Sequence, residues 1–66
     1  MKINKLKAKL VENEMNIEKL AKRLGIDKSS LYRKFNNAEK ITIGEAVKIK
    51  QILDIRDEEA VDIFLS

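Results

Sequence analysis

The chain has 66 residues, which is enough for one small domain with a modest core and too few for a second domain. It contains no Cys and no His, so disulfides, zinc ligation by Cys and His, and thiol or imidazole catalysis are excluded. Apolar residues make up 44% of the chain and alternate with charged residues, a pattern typical of a folded protein.

The net charge of +3 is unevenly distributed along the chain. Residues 1–34 hold ten Lys and Arg against four Asp and Glu, whereas residues 35–66 hold four against seven. A basic half suits an acidic partner, but lysine-rich helices are also simply well solvated, and composition alone does not decide between these interpretations. Charges run throughout residues 1–14, so we expect neither a signal peptide nor a membrane span.

The composition favours helix from end to end, with no Pro, two Gly and abundant Leu, Ile, Lys and Glu. We predict five short helices. The first covers about residues 3–12, where Ile3, Leu6 and Leu10 recur at three- and four-residue spacing. The second begins after Asn16, a good N-cap, and its apolar residues have the spacing i, i+3, i+4 and i+7. These residues are Ile17, Leu20, Ala21 and Leu24.

Gly25 directly follows the second helix, at a position where a residue with positive φ closes a helix without the steric cost of a Cβ. Asp27 then caps the third helix, which we predict to run to about Asn36. Helical spacing buries Leu31 and Phe35 on one side of this helix and leaves a polar face on the other.

Residues 36–40 are predicted to form a polar loop, and Thr42 with Glu45 matches a capping box that opens the fourth helix. Apolar side chains give this helix a wide buried face, and they are Ala46, Val47, Ile49, Ile52 and Leu53. Residues 54–56 interrupt the pattern before a fifth helix with an acidic start at Asp57. The end of that helix is unusually apolar, so it either completes the core or meets another chain.

Helices two and three are joined by only three or four residues that include Gly25, which is the geometry of a helix-turn-helix. When Ile17 is counted as the first position, the fifth is Ala21, a small residue where the two helices cross. The fifteenth position is Leu31, which inserts the third helix into the core. The spacing therefore predicts a helix-turn-helix over about residues 17–36.

The segment LAKRLGIDKSSLYRK, residues 20–34, resembles the phage Cro and repressor type of helix-turn-helix family, also called Xre-like. The lysine-rich first helix, the segment LYRKFN, the Thr-initiated fourth helix and the acidic start of the fifth extend the resemblance to the whole chain. It implies one all-α, five-helix, lambda-repressor-like domain over residues 1–66 that binds an operator in double-stranded DNA, in the bacterial cytoplasm or nucleoid. With it we expect no enzymatic activity, cofactor, small-molecule ligand or membrane association.

Two positions depart from the family pattern. The family often places Thr-Gln at the start of helix two, where the Gln contacts a phosphate, whereas this chain has Asn16 and Ile17. The position three residues beyond Leu31 is usually apolar in the family but is Lys34 here, with Phe35 next to it supplying the burial. We expect a slight rotation of the third helix as a result.

The match to the family implies that the third helix directs four side chains into the major groove, namely Lys28, Ser29, Tyr32 and Arg33. Lys28 and Arg33 can donate to guanine O6 and N7, and Tyr32 offers its ring to a thymine methyl group. The resemblance assigns phosphate contacts to Asn16, Lys19, Lys22, Ser30, Asn36, Asn37 and Lys40.

A plainer interpretation is that this polar face is only solvated, as the outer face of any surface helix is. The position of Tyr32, a large aromatic on the same side as two cations, argues against it. Four lysines of the first helix are expected to add unspecific attraction to DNA at most, and they are Lys2, Lys5, Lys7 and Lys9.

These features predict a transcription regulator, a repressor or Cro-like switch protein that blocks promoter access by occupying an operator. A module of this size makes few contacts, so we predict a homodimer on a pseudo-palindrome, anchored by Val61, Phe64 and Leu65. The alternative for these three residues is that they only close the core of the monomer. A second hypothesis for the protein is an interaction module of the same fold, such as an antirepressor or antitoxin. An enzyme is the least favoured class, because the carboxylates have no Gly-rich loop or metal cluster beside them.

Overall fold

The helix boundaries follow the capping signals of the sequence. The computed structural model describes residues 1–37 and 41–65, and within them all regular structure is helical. The five helices are α1 (Ile3–Glu12), α2 (Ile17–Leu24), α3 (Lys28–Asn36), α4 (Ile43–Ile52) and α5 (Asp57–Phe64). The predicted five-helix, all-α fold is confirmed. Of the loop predicted at residues 36–40, Asn36 belongs to α3, and positions 38–40 lie outside the described residues.

Three helices begin at the predicted side-chain caps. Asn16 Oδ1 accepts the backbone N–H three residues further on at 2.8 Å, and Asp27 Oδ2 accepts the one two residues further on at 3.0 Å. Thr42 Oγ1 accepts the backbone N–H of Glu45 at 3.1 Å, and Glu45 Oε1 accepts that of Thr42 at 3.0 Å, which completes a capping box. These hydrogen bonds satisfy N–H groups that have no partner within the helix. Because each cap joins residues two or three positions apart, the helix starts could be predicted from short sequence patterns.

The core is a single cluster to which every helix contributes. α3 and α4 both pack on α2, while α1 packs on α5. The buried hydrophobic side chains are Leu6, Leu10, Leu20, Ala21, Leu31, Phe35, Ile49, Leu53, Ile55, Ala60 and Ile63. Ile55 belongs to them although it lies in the turn between α4 and α5, where the sequence pattern is interrupted.

Val47 corrects the predicted buried face of α4. Ile49 is fully buried, but Val47 is about half exposed, as is expected for two residues separated by about 200° around a helix axis. Val47 instead shares its face with Ile43, one turn earlier, which is also exposed. The buried side of α4 is therefore narrower than its apolar composition suggests.

Two turns place non-glycine residues in the left-handed region, at Glu14 (φ 54°) after α1 and at Asp54 (φ 51°) after α4. The turns are linked, because Asn13 Nδ2 donates to the carbonyl oxygen of Leu53 at 3.0 Å. Non-glycine residues pay a steric cost in this conformation. The surrounding backbone hydrogen bonds, such as Met15 N–H to the Leu10 carbonyl at 2.9 Å, hold it in place.

The basic first helix is joined to the acidic fifth helix by ion pairs. Lys2 Nζ lies 2.7 Å from an Asp62 carboxylate oxygen, and Lys5 donates to the other oxygen of the same group. Lys9 Nζ lies 2.5 Å from Glu59 Oε2. The pKa of Asp62 falls to about 2 because Lys2 and Lys5 donate hydrogen bonds to its carboxylate. The hydrogen bond from Lys9 likewise lowers the pKa of Glu59 to about 2.

These ion pairs give stability a defined dependence on pH. Both carboxyls have a lower pKa folded than unfolded, where about 3.9 for Asp and 4.3 for Glu apply. Their stabilising contribution is therefore present above about pH 5 and is lost as the pH falls from about 4 towards 2. We expect Asp62→Asn to unfold at lower urea concentration than the parent protein at pH 7. The difference should shrink as the pH falls and should approach zero only below about pH 2, and an equal difference at pH 7 and at pH 2 would contradict the assignment.

Candidate nucleic-acid interface

The turn between α2 and α3 is built around one left-handed residue. Gly25 has φ 75°, and the N–H of Ile26 donates to the Ala21 carbonyl at 3.0 Å, so the chain reverses within three residues. Ala21 and Leu31 are each 1% exposed, one at the helix crossing and the other on the inner side of α3. Both roles agree with the helix-turn-helix spacing of the sequence. A Cβ at position 25 would meet nothing within 4 Å, so it is the backbone conformation that requires glycine.

The outer side of α3 carries the four side chains predicted to contact bases. Lys28, Ser29, Tyr32 and Arg33 are all exposed, and Tyr32 retains 51% of its surface. Phe35 on the inner side of the same helix is buried, in agreement with its predicted role. The structure therefore brings the predicted base-contacting residues together on one accessible face, and their contacts with bases stay a prediction.

Most of the residues predicted to contact phosphates are accessible to solvent in the described part of the chain. Lys19 and Lys22 are exposed on α2, and Ser30 is half-buried with its Oγ accepting from an Arg33 guanidinium nitrogen at 3.4 Å. A surface depression at the C-terminal end of α3 is lined by Ser30, Arg33, Lys34, Asn36 and Asn37. The predicted contact of Lys40 falls outside the described residues.

Both departures from the family pattern have a structural counterpart. Asn16 uses its side-chain oxygen as the N-cap of α2, which leaves the amide NH₂ as the group that could meet a phosphate. Lys34 turns towards α4, where its Nζ lies 2.8 and 2.6 Å from the two carboxylate oxygens of Glu45. This hydrogen bond from Lys34 is the main cause that lowers the pKa of Glu45.

Among the described Lys and Arg residues, most of those that form no ion pair lie on α2 and α3, and the others are Lys7 and Lys48. Within the described residues, Lys2, Lys5, Lys9, Lys34, Lys50 and Arg56 form ion pairs. Those on α2 and α3 that form no ion pair with the described residues are Lys19, Lys22, Arg23, Lys28 and Arg33. In the helix-turn-helix these five cations outnumber the two carboxylates, Glu18 and Asp27, which favours a positive potential there.

The distribution of ion pairs also bears on the N-terminal lysines and on Arg23. Three of the four lysines of the first helix are paired with carboxylates, which reduces even the unspecific attraction expected of them. Arg23, exposed in the last turn of α2, was not among the predicted contacts. Its position beside Lys22 in the family segment could have identified it. Glu18 and Asp27 line a second depression, between α2 and α3, together with Lys22 and Lys28, so two carboxylates lie among these cations.

A comparison with models of protein families identifies the family to which the chain belongs. Residues 5–63 match the family model of the Cro/C1-type HTH DNA-binding domain. The chain belongs to the Cro/C1-type helix-turn-helix family. The match reaches from α1 into α5, so the resemblance seen in the sequence and the five-helix fold that it implied are confirmed. Comparisons with curated proteins and with solved structures find no match.

Two further properties of this Cro/C1-type domain concern the part of the chain that the structure describes. None of its helices has the length and apolar character needed to cross a membrane. The described residues also contain no group of three acidic side chains placed to hold a metal ion.

The role of Gly25 can be tested against the second glycine of the domain. Gly25→Ala forces a Cβ into a left-handed conformation, and we expect it to destabilise the fold by about 1 kcal/mol. Gly44→Ala is the matched control, because Gly44 lies in α4 and its added Cβ would approach only Thr42 Oγ1, at 3.9 Å. That variant should be stabilised by about 0.5 kcal/mol. Urea unfolding measures both, and equal effects of the two substitutions would contradict the conformational argument.

Proposed function

We propose that this protein is a sequence-specific regulator that binds double-stranded DNA and presents α3 to the major groove of an operator. The observation that carries the proposal is the coincidence of two features on one surface. The cations without an ion pair in the described residues lie mainly on α2 and α3, and the exposed outer side of α3 adds Tyr32 to them. A major groove accepts a helix with such a face.

In this proposal the base contacts come from the exposed side of α3. Arg33 and Lys28 donate to guanine O6 and N7, and Ser29 donates or accepts at a neighbouring base. Tyr32 places its ring against a thymine methyl group. The exposure of all four residues supports these roles.

Phosphate contacts set the register of the domain on the duplex. Lys19 and Lys22 on α2 supply them on one side of α3, and we add Arg23 to them because it is exposed without an ion pair in the described residues. Polar groups near the ends of α2 and α3 supply the remainder, namely Asn16, Ser30, Asn36, Asn37 and Lys40.

The same proposal includes a homodimer that occupies two half-sites about 34 Å apart and acts as a repressor or Cro-like switch in the bacterial cytoplasm. Val61 is 56% and Leu65 78% exposed, whereas Phe64 is partly buried against the core. Phe64 thus supports both interpretations that the sequence left open. Ile43 and Val47 on α4 extend the exposed apolar surface, and the described residues that line the depression between them and the end of α5 all have uncharged side chains.

Binding to DNA is tested with a duplex that the protein itself selects from a random pool. Arg33→Ala should lower the affinity for it by about 1–3 kcal/mol, or roughly 5- to 150-fold, and relax the preference at one base pair. Lys22→Ala should weaken binding to all sequences alike and lower the salt slope by about one unit. Lys7→Ala is the control, because Lys7 is an exposed cation on α1, which packs on α5. Fluorescence anisotropy over a salt series reports these quantities.

Two outcomes would count against the proposal. If the protein bound no duplex in a salt-dependent way, the interaction module of the same fold would be the better hypothesis. If Arg33→Ala and Lys7→Ala behaved alike, the outer side of α3 would be a solvated face without a role in recognition.

The dimer is tested by placing a charge on the apolar surface. Val61→Glu should leave the fold intact, because the side chain is more than half exposed, but should prevent two copies from binding one duplex. Val11→Glu is the matched control, since Val11 is an equally apolar, exposed residue on α1. Sedimentation equilibrium of the protein with its selected duplex should show two copies for the parent and for Val11→Glu, and one for Val61→Glu. One copy per duplex for the parent protein would refute the dimer.

A further inference from the structure

Lys34 and Glu45 form an ion pair between α3 and α4 that is better shielded from solvent than a surface pair. The two carboxylate oxygens lie 2.8 and 2.6 Å from Lys34 Nζ. The side chain of Lys34 is 26% exposed and that of Glu45 19% exposed. Shielding of this degree reduces screening by salt, so the pair persists where exposed pairs weaken.

The Glu45 carboxylate is also held by the capping box at the start of α4, independently of Lys34. Its Oε1 accepts the backbone N–H of Thr42 at 3.0 Å, and Thr42 Oγ1 accepts the backbone N–H of Glu45 at 3.1 Å. The capping box therefore orients the carboxylate on the first turn of α4. Lys34 on α3 therefore donates to an acceptor whose position is set by α4. These hydrogen bonds couple the position of α3 to that of α4.

The position of Lys34 on α3 makes this contact relevant to DNA. It directly follows Arg33 and lies two residues after Tyr32, so it anchors the same turn from which both side chains project. α3 packs mainly on α2, through buried residues that include Leu31. The ion pair adds a second attachment, to α4, which restricts rotation of α3 about its own axis.

We propose that the ion pair of Lys34 with Glu45 positions α3 so that Tyr32 and Arg33 meet the bases in one orientation, and that it thereby sets the discrimination between DNA sequences without touching a base. This inference rests on the proposed function. Lys34 and Glu45 are positioning residues, which distinguishes them from phosphate contacts: they act on the difference between matched and unmatched duplexes, and a phosphate contact acts on both alike.

Two substitutions remove the pair from opposite sides. Glu45→Gln removes the anion but keeps the capping box, because Gln at this position also accepts the N-cap N–H. Lys34→Ala removes the cation while retaining a good helix former. Lys34→Arg is the conservative control that retains the pair, and the double variant Lys34→Ala with Glu45→Gln completes a cycle. Circular dichroism confirms that each variant is folded at the temperature of the measurement.

Binding is measured by fluorescence anisotropy on two duplexes over a salt series. One is the duplex that the parent protein selects from a random pool, and the other has the same base composition in shuffled order. We expect Glu45→Gln to lower the affinity for the selected duplex roughly five- to twenty-fold and to leave the shuffled duplex and the salt slope unchanged. Lys34→Ala should behave alike, the double variant should be no worse than either single one, and Lys34→Arg should match the parent.

The opposite results are equally distinct. If Glu45→Gln left the selected duplex unaffected while Lys34→Ala weakened both duplexes with a salt slope lower by about one unit, Lys34 would be a phosphate contact and the inference would be overturned. If the losses of the single variants added in the double variant, the two residues would act independently, which also overturns it. A parent protein that failed to prefer its selected duplex would instead overturn the proposed function on which the inference rests.

Discussion

The exposed face of α3 depends on the reversal of the chain at Gly25. The left-handed conformation there ends α2 and lets Asp27 cap α3 two residues later. The starting position of α3 is therefore narrowly fixed. Leu31, which is almost completely buried, then fixes which side of α3 faces the core. Because helical periodicity assigns the remaining side chains, burial of Leu31 and Phe35 is also what exposes Tyr32.

The charge distribution has a tertiary origin that the composition conceals. The chain is basic in its first half and acidic in its second, and part of each excess is paired with the other, since Asp62 contacts Lys2 and Lys5 and Glu59 contacts Lys9. Except for Lys34, which pairs with Glu45, the cations of α2 and α3 form no ion pair with the described residues, and they leave an excess of positive charge on the helix-turn-helix. The pairs with Asp62 are exposed and contribute little stability each, whereas Lys9 and Glu59 are shielded about as well as Lys34 and Glu45. The pairs between α1 and α5 offset positive charge outside the helix-turn-helix.

Local signals made most of the fold predictable from the sequence, and non-local ones account for what was missed. The caps at Asn16, Asp27 and Thr42 each involve residues two or three positions apart, and the sequence alone identified all three. The contact of Lys34 with Glu45 joins residues on different helices, and no local pattern encodes it. The exposure of Val47 likewise follows from how α4 docks on its neighbours. The base and phosphate contacts require a duplex and stay predictions.

The contacts that orient α3 on the domain and the charges that attract DNA respond differently to salt. Leu31 and Phe35 hold the helix by burial, which salt does not screen, and the partly buried pair of Lys34 with Glu45 is screened only weakly. In the proposed complex the exposed cations of α2 and α3 attract the phosphates, and this attraction weakens as salt rises. An increase in ionic strength should therefore weaken the encounter with any duplex well before it disturbs the geometry of α3. We expect the proposed complex to keep its preference between sequences over a range of salt in which its overall affinity falls.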